Sequence, residues 1–359
     1  MQYADLPLHY GNAPRWLFNR MVRLAAEISN IIVEEFGTKN FLERISNPFW
    51  FQAFSCVLGF DWHSSGTTTV TIAALKEALK NSGIGIAVCG GKGRTAKATL
   101  QEIKEYAKSW KLAEECNKLI LASRASAKTD SAALQDGFDL YHHAIIFDKE
   151  MNWCVVQQGL NTQQRYARRY HWYNVDLNKF CIEPHSAICS DLKASKVINL
   201  TSRKSNENKK TILDLVREKN FAKRISKLFV SKQRNLFNWN RSNNDKHLVM
   251  PRNINWAALR EAYELQPKKF EELLMIKGFG KSTVRALALI SELIYGCEAD
   301  WRDPVKYSFT VGGKDGVPFP VDRKLMDRIT NELREAIENA KLGNKEKLEA
   351  LKRLHNKLS

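Results

Sequence analysis

Beyond Pro14, apolar residues recur at helical spacing: Leu17, Met21, Leu24, Ile28 and Ile31 or Ile32 fall on one face, a 3.6-residue period that predicts an amphipathic helix closed by Gly37. A second apolar helix is predicted over Pro48 to Leu58. The stretch Gly59-Phe-Asp-Trp-His-Ser-Ser-Gly66 reads as a polar turn leading into a helix at about Thr68 to Asn81. Ile84 to Val88 is a short buried strand, closed by the turn Gly90-Gly-Lys-Gly-Arg94. Thr99 followed by Glu102 has the pattern of a capping box opening a helix toward Trp110. A further helix is expected from Leu112 to about Gln135. The pattern then changes to strands, YHHAIIF and WCVVQQ, flanking a hairpin loop at Asp148 to Asn152.

From Thr201 to Met250 the composition shifts, with 13 Lys and Arg against 4 Asp and Glu, yet Ile212 to Val216 and Phe229 with Val230 keep helical amphipathicity. This stretch reads either as a basic, partly helical connector or as a polar tether. Helical patterns resume beyond it. The expected fold class is therefore α+β: a mixed α/β N-terminal domain with a small sheet (1–200), the connector (201–250), and an all-α helix-hairpin-helix domain (251–359).

Charge sharpens this picture, because 56 Lys and Arg against 39 Asp and Glu give a net charge of +17. Such a surface attracts polyanions, of which nucleic acid is the commonest in a cell. The seven cysteines are scattered and never spaced C-x-x-C, which argues against a disulfide framework and an iron–sulfur cluster and fits a reducing compartment. No leader and no apolar run long enough to span a bilayer is visible, so a cytoplasmic, nucleoid-associated protein without membrane contact is expected.

The most specific signal lies at Phe270 to Gly296. Two helices, one ending near Met275 and one beginning near Lys281, are joined by Ile276-Lys-Gly-Phe-Gly280. Glycines at 278 and 280 permit a tight turn and let a phosphate approach without a Cβ in the way. The following helix offers unpaired N–H groups and a positive dipole end to that phosphate. Lys281, Ser282 and Thr283 add side-chain donors, and Lys277 adds charge. An ordinary glycine-linked helical hairpin is the plainer reading. A backbone contact of this kind predicts salt-sensitive binding with little sequence preference.

The segment IKGFGKSTVRALALI, followed later by PVDRKLMDRI, resembles the helix-hairpin-helix glycosylase superfamily. That resemblance makes Gly278 and Gly280 the hairpin glycines and Asp322 a catalytic carboxylate assisting departure of a flipped base. Ser282 stands where lyase-type members hold a Schiff-base lysine, which implies a monofunctional enzyme. Asp322 can equally cap a helix over Arg323 to Ala340. The chain as a whole resembles the archaeal and bacterial family called domain of unknown function 763, on stretches that include FDWHSSG, GGKG, SAALQDGFDLYHH, RYARRYHW, EPHSAIC and WRDPVKYSF.

Polar residues crowd the turns of the N-terminal part. Phosphodiester hydrolysis needs a metal-activated water or a general base, with cations to stabilise developing charge. Asp61, His63, Asp136, His142 and His185 are the candidates for the first role, with Mg or Mn as the expected metal and no nucleotide cofactor. His142 and His143 point to opposite faces if they lie on a strand. Lys92 and Arg94 form a basic turn after a strand, which lacks the spacing of a nucleotide-triphosphate loop. Arg165, Arg168 and Arg169 interleave with aromatics in a pattern suited to single strands; half-buried arginines with exposed tips are the alternative. Three functions follow as expectations: a metal-assisted DNA nuclease in repair or recombination, a base-excision glycosylase using Asp322, or a non-catalytic DNA-binding protein of a repair complex. In each the main partner is nucleic acid, DNA in preference to RNA, with repair-complex proteins as further partners.

Overall fold

The structure, a computed structural model, describes residues 13–60, 65–112, 115–190, 193–194, 197–230, 250–251, 253–306, 327 and 331. It is mixed α and β, built around an antiparallel five-stranded sheet with the order β1-β3-β4-β5-β6. These strands are β1 (Ile86–Lys92), β3 (Asp139–Asp148), β4 (Trp153–Asn161), β5 (Tyr166–Tyr173) and β6 (His185–Cys189). The two-residue strands β2 (Leu134–Gln135) and β7 (Ile198–Asn199) pair separately.

Both faces of the sheet are covered. Helices α1 (Arg15–Ser46), α2 (Pro48–Val57) and α3 (Ser65–Leu79) bury Met21, Phe41, Phe51 and Leu75 against Val88, Ala144, Ile146 and Val156. On the other face, α4 (Arg94–Ser109) and α5 (Cys116–Lys128) meet Cys89, Ile145, Phe147, Val155 and Trp172. The same hydrophobic cluster runs on without a break into α6 (Asn206–Arg217), α7 (Phe221–Val230), α8 (Trp256–Leu265), α9 (Phe270–Met275) and α10 (Lys281–Tyr295). Residues from 1–200, 201–250 and 251–359 thus contribute to one core. Double coverage explains why AIIF and WCVV read as continuous apolar runs rather than as alternation. Each fully buried side chain of this size stabilises the fold by about 1.5–3 kcal/mol.

Several local expectations need correction. Gly37 does not end α1: it adopts φ 81 and ψ 166 as a break, and the helical path resumes to Ser46. The capping box at Thr99 and Glu102 is not formed, because α4 begins at Arg94 and Thr99 Oγ1 donates to Ala96 O at 2.7 Å within it. Glu102 reaches back instead, accepting from Gly90 N at 2.7 Å and pairing with Lys76. The long helix expected to Gln135 stops at Lys128 and passes into a π-helical turn, Thr129–Ala133. The connector carries two helices, α6 and α7, with Ile212, Leu213, Leu215 and Val216 buried; its residues 231–249 lie outside the described residues. Among the described residues no helix is long and apolar enough to cross a membrane.

Candidate nucleic-acid interface

The hairpin before α10 is fixed from behind and open in front. Ile276 and Phe279 are buried with Leu273, Leu274 and Val284. Lys128 Nζ donates to Phe279 O at 3.0 Å, and Gln135 Nε2 donates to Lys281 O at 2.9 Å. Asn255, which caps α8, donates from Nδ2 to Gly278 O at 3.2 Å. Gly278 has φ +79, and a Cβ there would stand 2.5 Å from Asn255 Nδ2. Gly280 differs from expectation: its φ is −115 and a Cβ would meet only Gly278 O, at 3.9 Å. The requirement for glycine therefore rests on Gly278 alone.

In front, Lys277, Gly278 and Lys281 are exposed, and Gly280 and Ser282 are partly so. The first α10 amide to find a backbone acceptor is that of Val284, which donates to Gly280 O at 3.0 Å. The amides ahead of it are the orphan donors that every helix start leaves. Thr283 is not among the available side-chain donors, because it is buried and its Oγ1 accepts from Asn255 N at 3.0 Å. Lys281 Nζ lies 3.0 Å from Asp139 Oδ1, with the side chains 46% and 85% exposed. An ion pair so open to water is worth little and yields readily to a phosphate.

Asp139 begins β3, and the same end of the sheet gathers other basic groups. The strand expected to close at Gly90 instead runs on through Lys92 as part of β1, and Gly93 N extends its pairing with β3 by donating to Tyr141 O at 2.9 Å. Lys92 and Arg94 are exposed, and Lys92 Nζ sits 5.9 Å from the centre of the Tyr141 ring. Gly90 cannot carry a side chain, since a Cβ would come 2.3 Å from His143 O. Arg165, with φ 60, is exposed in the turn joining β4 to β5. It stands beside Asn161 and Tyr166, which pair across that turn.

Arg168 and Arg169 do not join this surface. Both are buried, at 0% and 5% exposure, because β5 is an inner strand covered on both sides. Arg168 donates from Nη1 and Nη2 to the two carboxylate oxygens of Asp303, at 3.1 and 2.7 Å, and from Nη1 to Asp136 at 2.9 Å. Desolvation alone would lower its pKa, but Asp136, Tyr170 and Asp303 outweigh it and hold the guanidinium above its usual range. Arg169, on the opposite face, is bonded to Cys189, lies over the Phe51 ring and faces the Gln52 and Thr68 oxygens.

The proposed acid–base set does not gather in one place. Asp136 is fixed by Arg168, by the Tyr170 hydroxyl at 2.7 Å and by Phe138 N at 3.1 Å. Burial pushes its carboxyl above the usual carboxylate range while these donors pull it back. It is therefore a structural ion-pair partner and no free base. His142 and His143 do point to opposite faces. His142 lies in register with Lys92 and Gln158, 1% exposed, with neither ring nitrogen hydrogen-bonded among the described residues. Burial, with His143 and Lys92 nearby, pushes its pKa down to about 3. His185 lies opposite Trp172, six residues along β5 from Tyr166, or about 20 Å from the basic end at roughly 3.3 Å per residue. Asp61, His63 and Asp322 lie outside the described residues. Among the described residues no group of three or more His, Cys, Asp or Glu is placed to hold a metal ion.

Sequence reading missed the residues that bind the interior together. Asp130, in the π-helical turn, accepts from Gln157 Nε2, from Trp172 Nε1 at 2.9 Å and from His185 Nε2. Because the Gln157 amide donates to Asp130, its Oε1 accepts from His143 Nδ1 at 2.8 Å, and Ser123 Oγ donates to His143 Nε2 at 2.8 Å. No spacing along the chain announces this Ser-His-Gln-Asp-His path. A family model described as a protein of unknown function, DUF763, matches residues 2–321. The chain belongs to that family. Neither a curated protein nor a solved structure matches it. Membership in DUF763 takes in both the hairpin and the sheet, so the two are parts of one family unit.

Proposed function

We propose that this DUF763 protein binds nucleic acid through its sugar–phosphate backbone, with DNA the polymer that the helix-hairpin-helix resemblance implies. The observation that carries this reading is the exposed start of α10, flanked by Lys277 and Lys281 and adjoining Lys92 and Arg94 at one end of the sheet. Orphan amides, a helix dipole and mobile ammonium groups are what a phosphate needs, and none of them distinguishes one base from another.

Strand cleavage is the second reading, favoured by His142. A buried neutral imidazole whose two nitrogens have no hydrogen-bond partner among the described residues, opposite Lys92 in the β1–β3 pairing, has the form that ligates a metal or accepts a proton. One experiment separates the readings. End-labelled single-stranded, duplex and forked DNA is incubated with the protein in Mg, in Mn and in chelator, and both retention and products are scored. Retention without products supports binding alone, and metal-dependent cuts lost in His142→Leu support cleavage. Chelator-insensitive abasic sites point to the glycosylase alternative through Asp322. Absence of retention on every substrate refutes the proposal.

A further inference from the structure

His185 reaches a second place of chemical interest. Its Nε2 is 2.5 Å from Asp130 Oδ1, and its ring packs edge-on against Trp172 with centroids 4.9 Å apart. Asp130 is held in turn by Gln157 and Trp172, so the imidazole is fixed in direction by a carboxylate that cannot move. His185 Nε2 donates to that carboxylate, which leaves Nδ1 as the nitrogen available to a ligand. The side chain, 7% exposed, lines a cleft of about 140 Å³ together with Glu183, Thr201, Ser202 and Lys306. At about 30 Å³ per water, that volume holds four or five waters or one compact anion.

The donors and acceptors around the cleft are unequal. Glu183 is paired with Arg203 at 3.1 Å at the rim, and the Ser202 hydroxyl donates to Asp300 at 2.7 Å. The Thr201 hydroxyl donates to Asn199 Oδ1 at 2.6 Å. Lys306 uses its backbone amide on Ile188 O, and its ammonium has no carboxylate partner among the described residues. The groups left to recognise a ligand are thus this ammonium and the imidazole. Tyr170, 6.0 Å from the His185 ring, donates to Asp136 and brings no charge, while Lys209 behind Glu183 adds positive potential.

We propose that this cleft is a proton-linked binding site for a phosphate-sized oxyanion. On binding, a proton from solvent adds to His185 Nδ1. The imidazolium then donates to the anion from Nδ1 and to Asp130 from Nε2, and Lys306 supplies the second positive charge. The site lies away from the basic end of the sheet and stands or falls independently of nucleic-acid binding there.

The test is calorimetric titration of the full-length protein with inorganic sulfate, a phosphate-sized oxyanion with no proton of its own to exchange near neutral pH, at about pH 7.5 in two buffers of different ionisation enthalpy. The expected result is saturable binding with uptake of about 0.5 to 1 proton per sulfate. His185→Gln, which can still donate to Asp130, should abolish the uptake, and Lys306→Gln should weaken binding by about tenfold. Uptake should persist in a Lys277→Gln, Lys281→Gln variant, which separates this cleft from sulfate bound at the hairpin. Binding without proton uptake, uptake that survives His185→Gln, or no saturable binding up to about 10 mM would each overturn the proposal.

Discussion

Strand β5 and the hairpin before α10 both concentrate positive charge, and they use it differently. In β5, Arg168 is enclosed between Asp136 and Asp303 with no exposure. At the hairpin, Lys281 meets a single carboxylate in open water and Lys277 is exposed. A buried cation is bound to its partners by the cost of leaving any of them alone, whereas an exposed one is free to exchange partners. The first arrangement holds the fold together; the second is available to a polyanion.

The largest effect expected from this contrast is on stability. Arg168→Met should cost about 3–5 kcal/mol, because it strands two buried carboxylates, whereas Lys281→Gln should cost under about 1 kcal/mol. Urea denaturation of the two variants checks this, and equal costs would erase the distinction between the regions.

Next comes acid sensitivity. His142, His143 and His171 are all buried with lowered pKa values, desolvation being the main cause in each. A histidine kept neutral in the fold takes up a proton on unfolding. Its stabilising contribution is therefore complete above the unfolded value of 6.5 and is lost as pH falls toward the folded value, about 3 for His142. In urea melts between about pH 6 and pH 5, the unfolding constant should rise with acid, and His142→Leu should flatten that rise by about tenfold per pH unit. An unchanged slope in the variant would mean that His142 is charged in the folded protein.

A smaller effect divides the hairpin glycines. Gly278→Ala forces a side chain into the left-handed region and against Asn255, at a cost of about 1–3 kcal/mol, with weaker DNA binding. Gly280→Ala should change stability by less than about 1 kcal/mol. Thermal melts together with fluorescence anisotropy on a labelled duplex distinguish the two, and equal behaviour would contradict the geometry of the turn.

The elements governed by period and by punctuation were legible in the sequence: the helix through Leu17 and Met21, the strands around Asp148 to Asn152, and the hairpin at Ile276 to Gly280. What stayed hidden depends on tertiary partners. Nothing in RYARRYHW tells a strand covered on both faces from an exposed basic ribbon, because the deciding residue, Asp303, lies 135 positions from Arg168. Asp130 sits inside an unbroken helical pattern, and only the π-helical turn swings it toward His185. Opposite orientations for His142 and His143 follow from strand alternation alone, but their surroundings do not.

Nucleic-acid binding at the basic end of the sheet is tested by the salt dependence of duplex DNA affinity, compared between the wild type and a variant carrying Lys92→Gln, Arg94→Gln, Lys277→Gln and Lys281→Gln. The wild type should lose affinity steeply with salt, by about 0.9 in log–log slope for each phosphate neutralised, equally for unrelated sequences. The variant should show a slope shallower by about two to four units. A wild type that does not bind, or a variant with the same slope, would contradict the assignment of this basic end as a nucleic-acid interface.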